Sequence, residues 1–595
     1  MKLTALMTAL IGIVLTTPGC GSDPSKPPVA DELPSELPWQ WFSPKPQGND
    51  LYAVWVTEAG DVFAVGDVGT VLQSNGANWI LHKTGSNDRL TGVWAGSDKQ
   101  VIVTTGSGFL LEYDGAKWRA RPTTSARLND VLGIGGSVYA VGHGGVVLRK
   151  AGDAWTEIET SFSNEIGGIW GSAPDDLFVV GDEGLIAHYD GQSWQKMISG
   201  TSEYLDGIWG FGPDDVYATG NGSTVLHYNG DAWDNMAVPV NGDIRDIWGR
   251  DSNAIFLATG DGEIAQYDGT SWSLLYSNQP FLWSIGGNSL FAFAVGAKGR
   301  LLKYENQMWE RLDHGPIAQF NDLWALSDEE IYAVTDEGDV WHFIGDDDHT
   351  STNLGETCQL QGIWGSDAAN IYAVGRSAPG GRWFGVIMKF DGFAWTQVYL
   401  GWIGFNAVWG SSPNDVYAVG VQGQVVHYDG DAWQIVFSTS GFGTLYDVWG
   451  SSAEDVFAVG GEVTLDPDRL GLIRHYDGSE WSVHRIGEVE HFRGVWGRSP
   501  TDVYAVGDWS AIYHYDGTSW HRIDVPWQRQ LFSVSGFTDG NVFVGSLGGR
   551  IFCYDGVTVS EMATGTSTVF NSIRGTNFGV VWAAGSNGTV LRHRR

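Results

Sequence analysis

Cysteine is almost absent from this chain, with three residues in 595. Cys20 stands alone near the start. Cys358 and Cys553 fall at different places in their surrounding sequence, so both are expected as buried side chains rather than as a disulfide joining them. No CxxC and no Cys/His run at metal-ligand spacing occurs. Basic residues are also scarce. Lys and Arg number 34 against 70 Asp and Glu, for a formal charge of −36. Such a surface repels phosphates at long range, which excludes nucleic acid and anionic lipid as partners and leaves room for cations. The body has no helical period. It also has no G-x-S-x-G, no HExxH, no P-loop and no dinucleotide fingerprint, so the common hydrolytic and nucleotide chemistries lack their motifs. What abounds is glycine, at 83 residues, and tryptophan, at 30. Together they indicate tight turns between aromatic-rich strands.

The N-terminus differs from the rest. MKLTALMTALIGIVLTTPGC carries one basic residue, Lys2, and an apolar run through Leu15. That run is too short for a stable bilayer span and fits a signal-peptide core. Thr17-Pro18-Gly19-Cys20 resembles a bacterial lipobox, with small Gly19 before the cysteine and Thr17 where leucine is usual. Residues 21–37 are a Pro-rich polar tether that cannot pack a core. These features predict export, removal of a signal sequence over 1–20 and lipidation at Cys20. The body would then stand outside the cytoplasm, at the outer membrane or cell surface, touching membrane only through its anchor.

A phrase recurs along the body. VWGSSPNDVYAVGVQGQVVHYDGDAW at 408–433 returns as VWGRSPTDVYAVGDWSAIYHYDGTSW at 495–520. Aligned on the apolar residue that opens each copy, units start at Leu51, Leu90, Leu128, Ile166, Leu205, Ile244, Leu282, Phe320, Leu360, Phe405, Leu445, Phe492, Leu531 and Phe570. Eleven of the thirteen spacings are 38 to 40 residues, a period characteristic of solenoids and propellers. Each unit holds four short stretches rich in Val, Ile, Tyr, Phe and Trp between Gly and Asp turns, which is strand chemistry. Four strands per forty residues make a β-propeller blade. The Trp of Trp409-Gly410 is expected between blades, its Gly as a turn out of the first strand, and Asp429-Gly430 as a hairpin with both residues at positive φ. Fourteen blades exceed one ring, so the fold class is all-β, tandem propellers of seven blades each, over 51–319 and 320–595. The last unit stops at the place of its fourth strand. Residues 38–50, PWQWFSPKPQGND, supply a closing strand, with Trp39 or Trp41 in the role of Trp433.

The pattern VWGSSPNDVYAVG…HYDGxxW resembles the β-propeller lipoproteins of myxobacteria. It is also similar to BNR-type repeats of the photosystem-assembly-factor kind and to kelch repeats, the last through Val459-Gly460-Gly461 with Tyr476 and Trp481. The resemblance implies architecture and assigns no activity. Asp-box repeats keep one residue between Asp and Gly. Here they are adjacent, as in Tyr189-Asp190-Gly191, so sialidase activity does not carry over.

No catalytic constellation emerges, and the chain is expected not to be an enzyme. Asp175/Asp176, Asp214/Asp215, Asn414/Asp415 and Asp502 recur at one loop of successive blades, which points to turn formation. His188, His227, His427, His475 and His514 recur before the Tyr of the third strand, on separate blades, so they are not expected to converge on a metal. Asp346-Asp347-Asp348 and the pair Asp466 and Asp468 suit calcium by ligand type, without EF-hand spacing. Calcium is therefore the one cofactor weighed. Binding is expected where the repeat breaks. The second ring carries insertions at 376–385 and 461–472 and loop aromatics. Arg376, Trp383, Trp402, Asp468, Trp509 and Trp527 are the candidate contacts. The expected function is a monomeric interaction scaffold for an envelope protein. A carbohydrate-binding surface module for glycans is the alternative, and a glycan-cleaving enzyme comes third.

Overall fold

The computed structural model describes residues 39–594 apart from 75–78, 98, 278–279, 314, 316–317, 346–347, 439–441, 464–468, 487–488, 490, 538–539 and 577–578. The segments expected as signal sequence and tether, together with Cys20, Asp346, Asp347, Asp466 and Asp468, lie outside the described residues.

The four parts of every unit form a four-stranded antiparallel sheet, and there are fourteen such sheets. In blade 10 the strands, A to D from first to last, are Phe405–Ser412, Asp415–Gly420, Val425–Tyr428 and Trp433–Phe437. Register sets Trp409 opposite Tyr417, Tyr417 opposite His427 and Tyr428 opposite Trp433. Strand B reads as a nearly continuous apolar run because both its faces are covered by neighbouring blades. Val416, Ala418 and Val419 are fully buried.

Two local expectations are corrected. The hairpin after Tyr428 has four residues, and only Gly430 is at positive φ, +93°. Asp429 acts through its side chain, whose Oδ1 accepts the N–H groups of Asp431 at 3.0 Å and Ala432 at 2.9 Å. The glycine of Trp-Gly is not a turn residue either. A Cβ on Gly410 would lie 2.7 Å from Trp364, and one on Gly450 would lie 2.5 Å from Trp409. Each glycine leaves the space filled by the indole of the preceding blade, so Trp-Gly is a blade-to-blade contact.

Hydrogen bonds close two rings of seven. Val54 N donates to Ser284 Oγ at 3.2 Å and Asn288 Nδ2 to the Thr57 carbonyl at 3.2 Å, joining blade 7 to blade 1. Leu323 N donates to Ser572 Oγ at 3.3 Å and Asn571 Nδ2 to the Phe320 carbonyl at 2.8 Å, joining blade 14 to blade 8. The N-terminal strand Gln40–Ser43 pairs antiparallel with Val590–Arg594 and completes blade 14. Trp39 takes the Trp433 role. It is buried, 5.3 Å from the His593 ring, as Trp433 lies 5.5 Å from Tyr428. Asn49 then spans the rings, bonding Gly565 O at 2.7 Å after blade 13 and Thr70 Oγ1 at 2.8 Å in blade 1. Cys358 and Cys553 sit in blades 9 and 13, both buried and not joined to each other; Cys358 is a free thiol.

Candidate functional site

Blade 9 carries the first insertion at the turn between strands B and C. Arg376, at the end of strand B, lays its guanidinium 4.7 Å from the Trp383 ring centre and donates from Nε to Gln359 Oε1 at 2.7 Å. Arg382 lies 4.6 Å over Trp402, and Phe384 is 5.4 Å from the same indole. Trp383 is 47% exposed and Trp402 70%. Neither arginine has a carboxylate partner among the described residues. Cation–π stacking therefore holds the four side chains as two Arg–Trp pairs on the same blade, with both indoles substantially exposed. Arg382 belongs to this patch, although composition alone did not single it out.

The other candidates lie apart. Trp509 is three blades away in blade 12, 59% exposed, at φ +58°. Its neighbour Asp508 bonds His491 at 2.9 Å, Arg493 at 2.8 Å and Gln530 at 3.1 Å. Burial pushes the Asp508 carboxyl up, but these bonds outweigh it and hold the group well below the usual carboxylate range. Trp527 is half-buried and stacked 4.1 Å from Phe552, so one face is taken by blade 13.

Of the recurring residues, Asp175, Asp214 and Asn414 lie in the turn between strands A and B, whereas Asp176, Asp215, Asp415, Asp455 and Asp502 have another role. Each opens strand B and bonds the histidine of strand C. His188 to Asp176 is 2.6 Å, His227 to Asp215 2.8 Å, His427 to Asp415 2.6 Å, His475 to Asp455 2.7 Å and His514 to Asp502 2.7 Å. The imidazoles also stack on the strand B aromatic, as His475 does on Phe457 at 4.0 Å. Every such histidine is engaged within its own blade. Among the described residues no group of three or more His, Cys, Asp or Glu side chains could hold a metal ion.

A feature the sequence reading missed lies on the axis of the first ring. A cavity of 190 Å³ is lined by residues from all seven blades. Its lining includes the aromatics Tyr52, Tyr204 and Trp283, the arginines Arg89, Arg127 and Arg245, and the carboxylates Asp130, Asp206 and Asp246. Arg245 pairs with Asp206 at 3.0 Å and Asp243 at 2.8 Å, and Arg89 with Asp67 at 3.1 Å. Asp130 accepts the N–H of Val131 at 2.7 Å and of Ile169, in the next blade, at 3.0 Å. Asp246 accepts from Ile247 N at 2.8 Å, Ile285 N at 2.9 Å and Ser284 Oγ at 2.8 Å. Burial pushes Asp130 up to about 6 and Asp246 up to about 7, and these hydrogen bonds offset it only in part. The available signal was the third residue of the units LND, IRD, FND and LYD at 128, 244, 320 and 445.

No family model matches the sequence, and no curated protein matches it. Solved structures do. PorZ, a surface component of the type-IX secretion system of Porphyromonas gingivalis, superposes with a TM-score of 0.62 at 12% identity, over 93% of this chain and 87% of that one. The GH74 enzyme of Niastella koreensis gives 0.59 at 12% identity, over 93% and 99%. The chain is a tandem β-propeller. At this identity the likeness extends to the fold alone. Within the tandem propeller two places break the repeat chemically: the Arg–Trp patch on blade 9 and the axial cavity of the first ring.

Proposed function

We propose that this protein is an exported, lipid-anchored scaffold that docks a protein partner through blade 9 of its second ring and performs no catalysis. The observation that carries this reading is the patch of Arg376, Trp383, Arg382 and Trp402. Tryptophan and arginine dominate binding hot spots, and here both are exposed, held in place, and free of acidic partners on a strongly acidic body. The lipobox-like Thr17-Pro18-Gly19-Cys20 supports anchoring at the outer membrane or cell surface; Cys20→Ser should end incorporation of labelled lipid and release the protein to the soluble fraction. The test of docking is capture of partners from the cell envelope by the mature chain. Joint replacement Trp383→Ala and Trp402→Ala should weaken the captured complex by more than about 2 kcal/mol while barely moving Tm. Trp509→Ala alone, three blades away, should cost less. A sharp fall in Tm with affinity retained would make the blade 9 aromatics packing residues and sink the reading. A surface-glycan ligand is the second reading, favoured by the exposure of Trp402; binding on a glycan array without a captured protein would select it.

A further inference from the structure

The two rings treat their axial carboxylates differently. In each ring two aspartates three blades apart stand at the third position of strand A: Asp322 and Asp447 in the second, Asp130 and Asp246 in the first. The second ring supplies its own cation. Arg574, in the last blade, pairs with Asp322 at 3.2 Å, and its charge also acts on Asp447. The unit of the first ring that corresponds to blade 14 has Gly286 where Arg574 stands, since LWSIGG at 282–287 aligns with FNSIRG at 570–575. No arginine takes over. Arg245 is occupied by Asp206 and Asp243 and Arg89 by Asp67, while Arg127, exposed in the same lining, has no ion pair with either aspartate or any other group among the described residues. Burial raises both Asp130 and Asp246, the charge of Asp130 adds a smaller rise at Asp246, and only neutral donors are bonded to them. Both line the 190 Å³ cavity. That volume equals about six waters, enough for one small organic group. Asn129 Oδ1, buried in the same wall, has no hydrogen-bond partner and is an acceptor.

We propose that the axial cavity of the first ring binds a small organic cation, an ammonium or guanidinium group, which sits against Asp130 and Asp246 as Arg574 sits against Asp322 in the second ring. Buried carboxylates without a counter-charge are costly, and a charged donor with several N–H groups relieves them. The rings of Tyr52 and Trp283 already carry Arg89 at 4.6 Å and Arg245 at 5.6 Å, so recognition of the cation rests on the carboxylates and not on the aromatics. This site is independent of the blade 9 patch and stands or falls without it.

The experiment is calorimetric titration of the whole mature chain with agmatine and with putrescine at pH 6.5 and about 150 mM salt, where loose counter-ion binding to an acidic surface is screened. The expected result is one site per chain for at least one of the two, with proton release detectable as buffer-dependent heat, because binding must ionise the fraction of the two carboxyls that is still protonated. Asp130→Asn and Asp246→Asn should each weaken binding about tenfold or more, the loss of one charged hydrogen bond. Arg127→Ala, which removes an exposed arginine with no ion pair among the described residues, should leave the protein folded and bind at least as tightly. Should an Asn variant unfold, the proton release and the Arg127→Ala result decide alone. Absence of one-site binding, binding unaffected by either Asn variant, or calcium or glucose binding where agmatine does not, would each overturn the proposal.

Discussion

At the scale of single residues the molecule rests on side chains that bridge blades. Asp447 accepts the N–H of Val448 at 2.9 Å in its own strand and of Val495 at 2.9 Å in the next blade. Burial pushes it up to about 6, against the lowering effect of Arg574 and of those N–H groups. The sign follows from linkage. The folded state holds this proton more tightly than the unfolded chain, so the stabilisation is complete below about pH 4 and is lost as pH rises through about 6. That displacement corresponds to at most about 3 kcal/mol. Unfolding free energy measured in urea should therefore fall between about pH 4 and pH 6.5, and Asp447→Asn should make that fall shallower by the share of this carboxyl. An identical slope in the variant would show that the carboxyl does not titrate there. Asp508 works in the opposite sense, held ionised by His491 and Arg493, and it loses its contribution only in strong acid. The histidines that the sequence flagged by repetition proved to be legible as a set but not in their role. Their partner aspartates lie 12 residues upstream, or 20 where the blade 11 insertion intervenes, and only strand pairing brings them to 2.6–2.8 Å.

At the scale of the element the blade is defined by the Trp-Gly contact. Gly450→Ala sets a Cβ 2.5 Å from Trp409 and 2.8 Å from the Asp455 carbonyl, which cannot be relieved without moving backbone. It should cost about 1–3 kcal/mol as an overpacking change. Trp409→Ala should cost roughly 2 kcal/mol, less than the 3–5 of a fully buried indole because Trp409 is half-buried. In the double variant the alanine at 450 gains the space the indole leaves, so the two losses should sum to less than their total in a double-mutant cycle. Strict additivity would place the cost elsewhere. The blade pattern was readable because its strands alternate and its turns use Asp and Gly. The neighbour that each indole meets was not, since Trp409 and Gly450 are about one repeat apart in sequence and touch only through stacking.

At the scale of the whole molecule both ends of the chain build one blade. Trp39 packs with Phe543 and Phe537 in the blade 13 and 14 core, and Phe42 with Trp582, Phe343 and Phe320 across the seam to blade 8. Removing residues 39–48 deletes those anchors and uncovers the edge of Val590–Arg594. Calorimetry should show a lower Tm for part or all of the protein, and equal melting of the shortened and parent chains would contradict the role of this strand.

The sequence by itself determined the all-β class, the fourteen units, the strand order within a blade and the closure by the N-terminal strand. Each of these follows from periodicity and turn chemistry that act over a few residues or repeat at a fixed step. It also marked the insertion of blade 9, because there the repeat length and composition change. Tertiary structure alone decided which candidates meet. Arg376 pairs with Trp383 and Arg382 with Trp402 through stacking, Trp509 stands apart, and Trp527 is drawn onto Phe552. The axial cavity was settled there too. Its wall takes one or more residues from each of seven distant units, and whether Asp130 and Asp246 have a cation beside them depends on which side chain the ring brings round to the axis, a property of closure that no local pattern encodes.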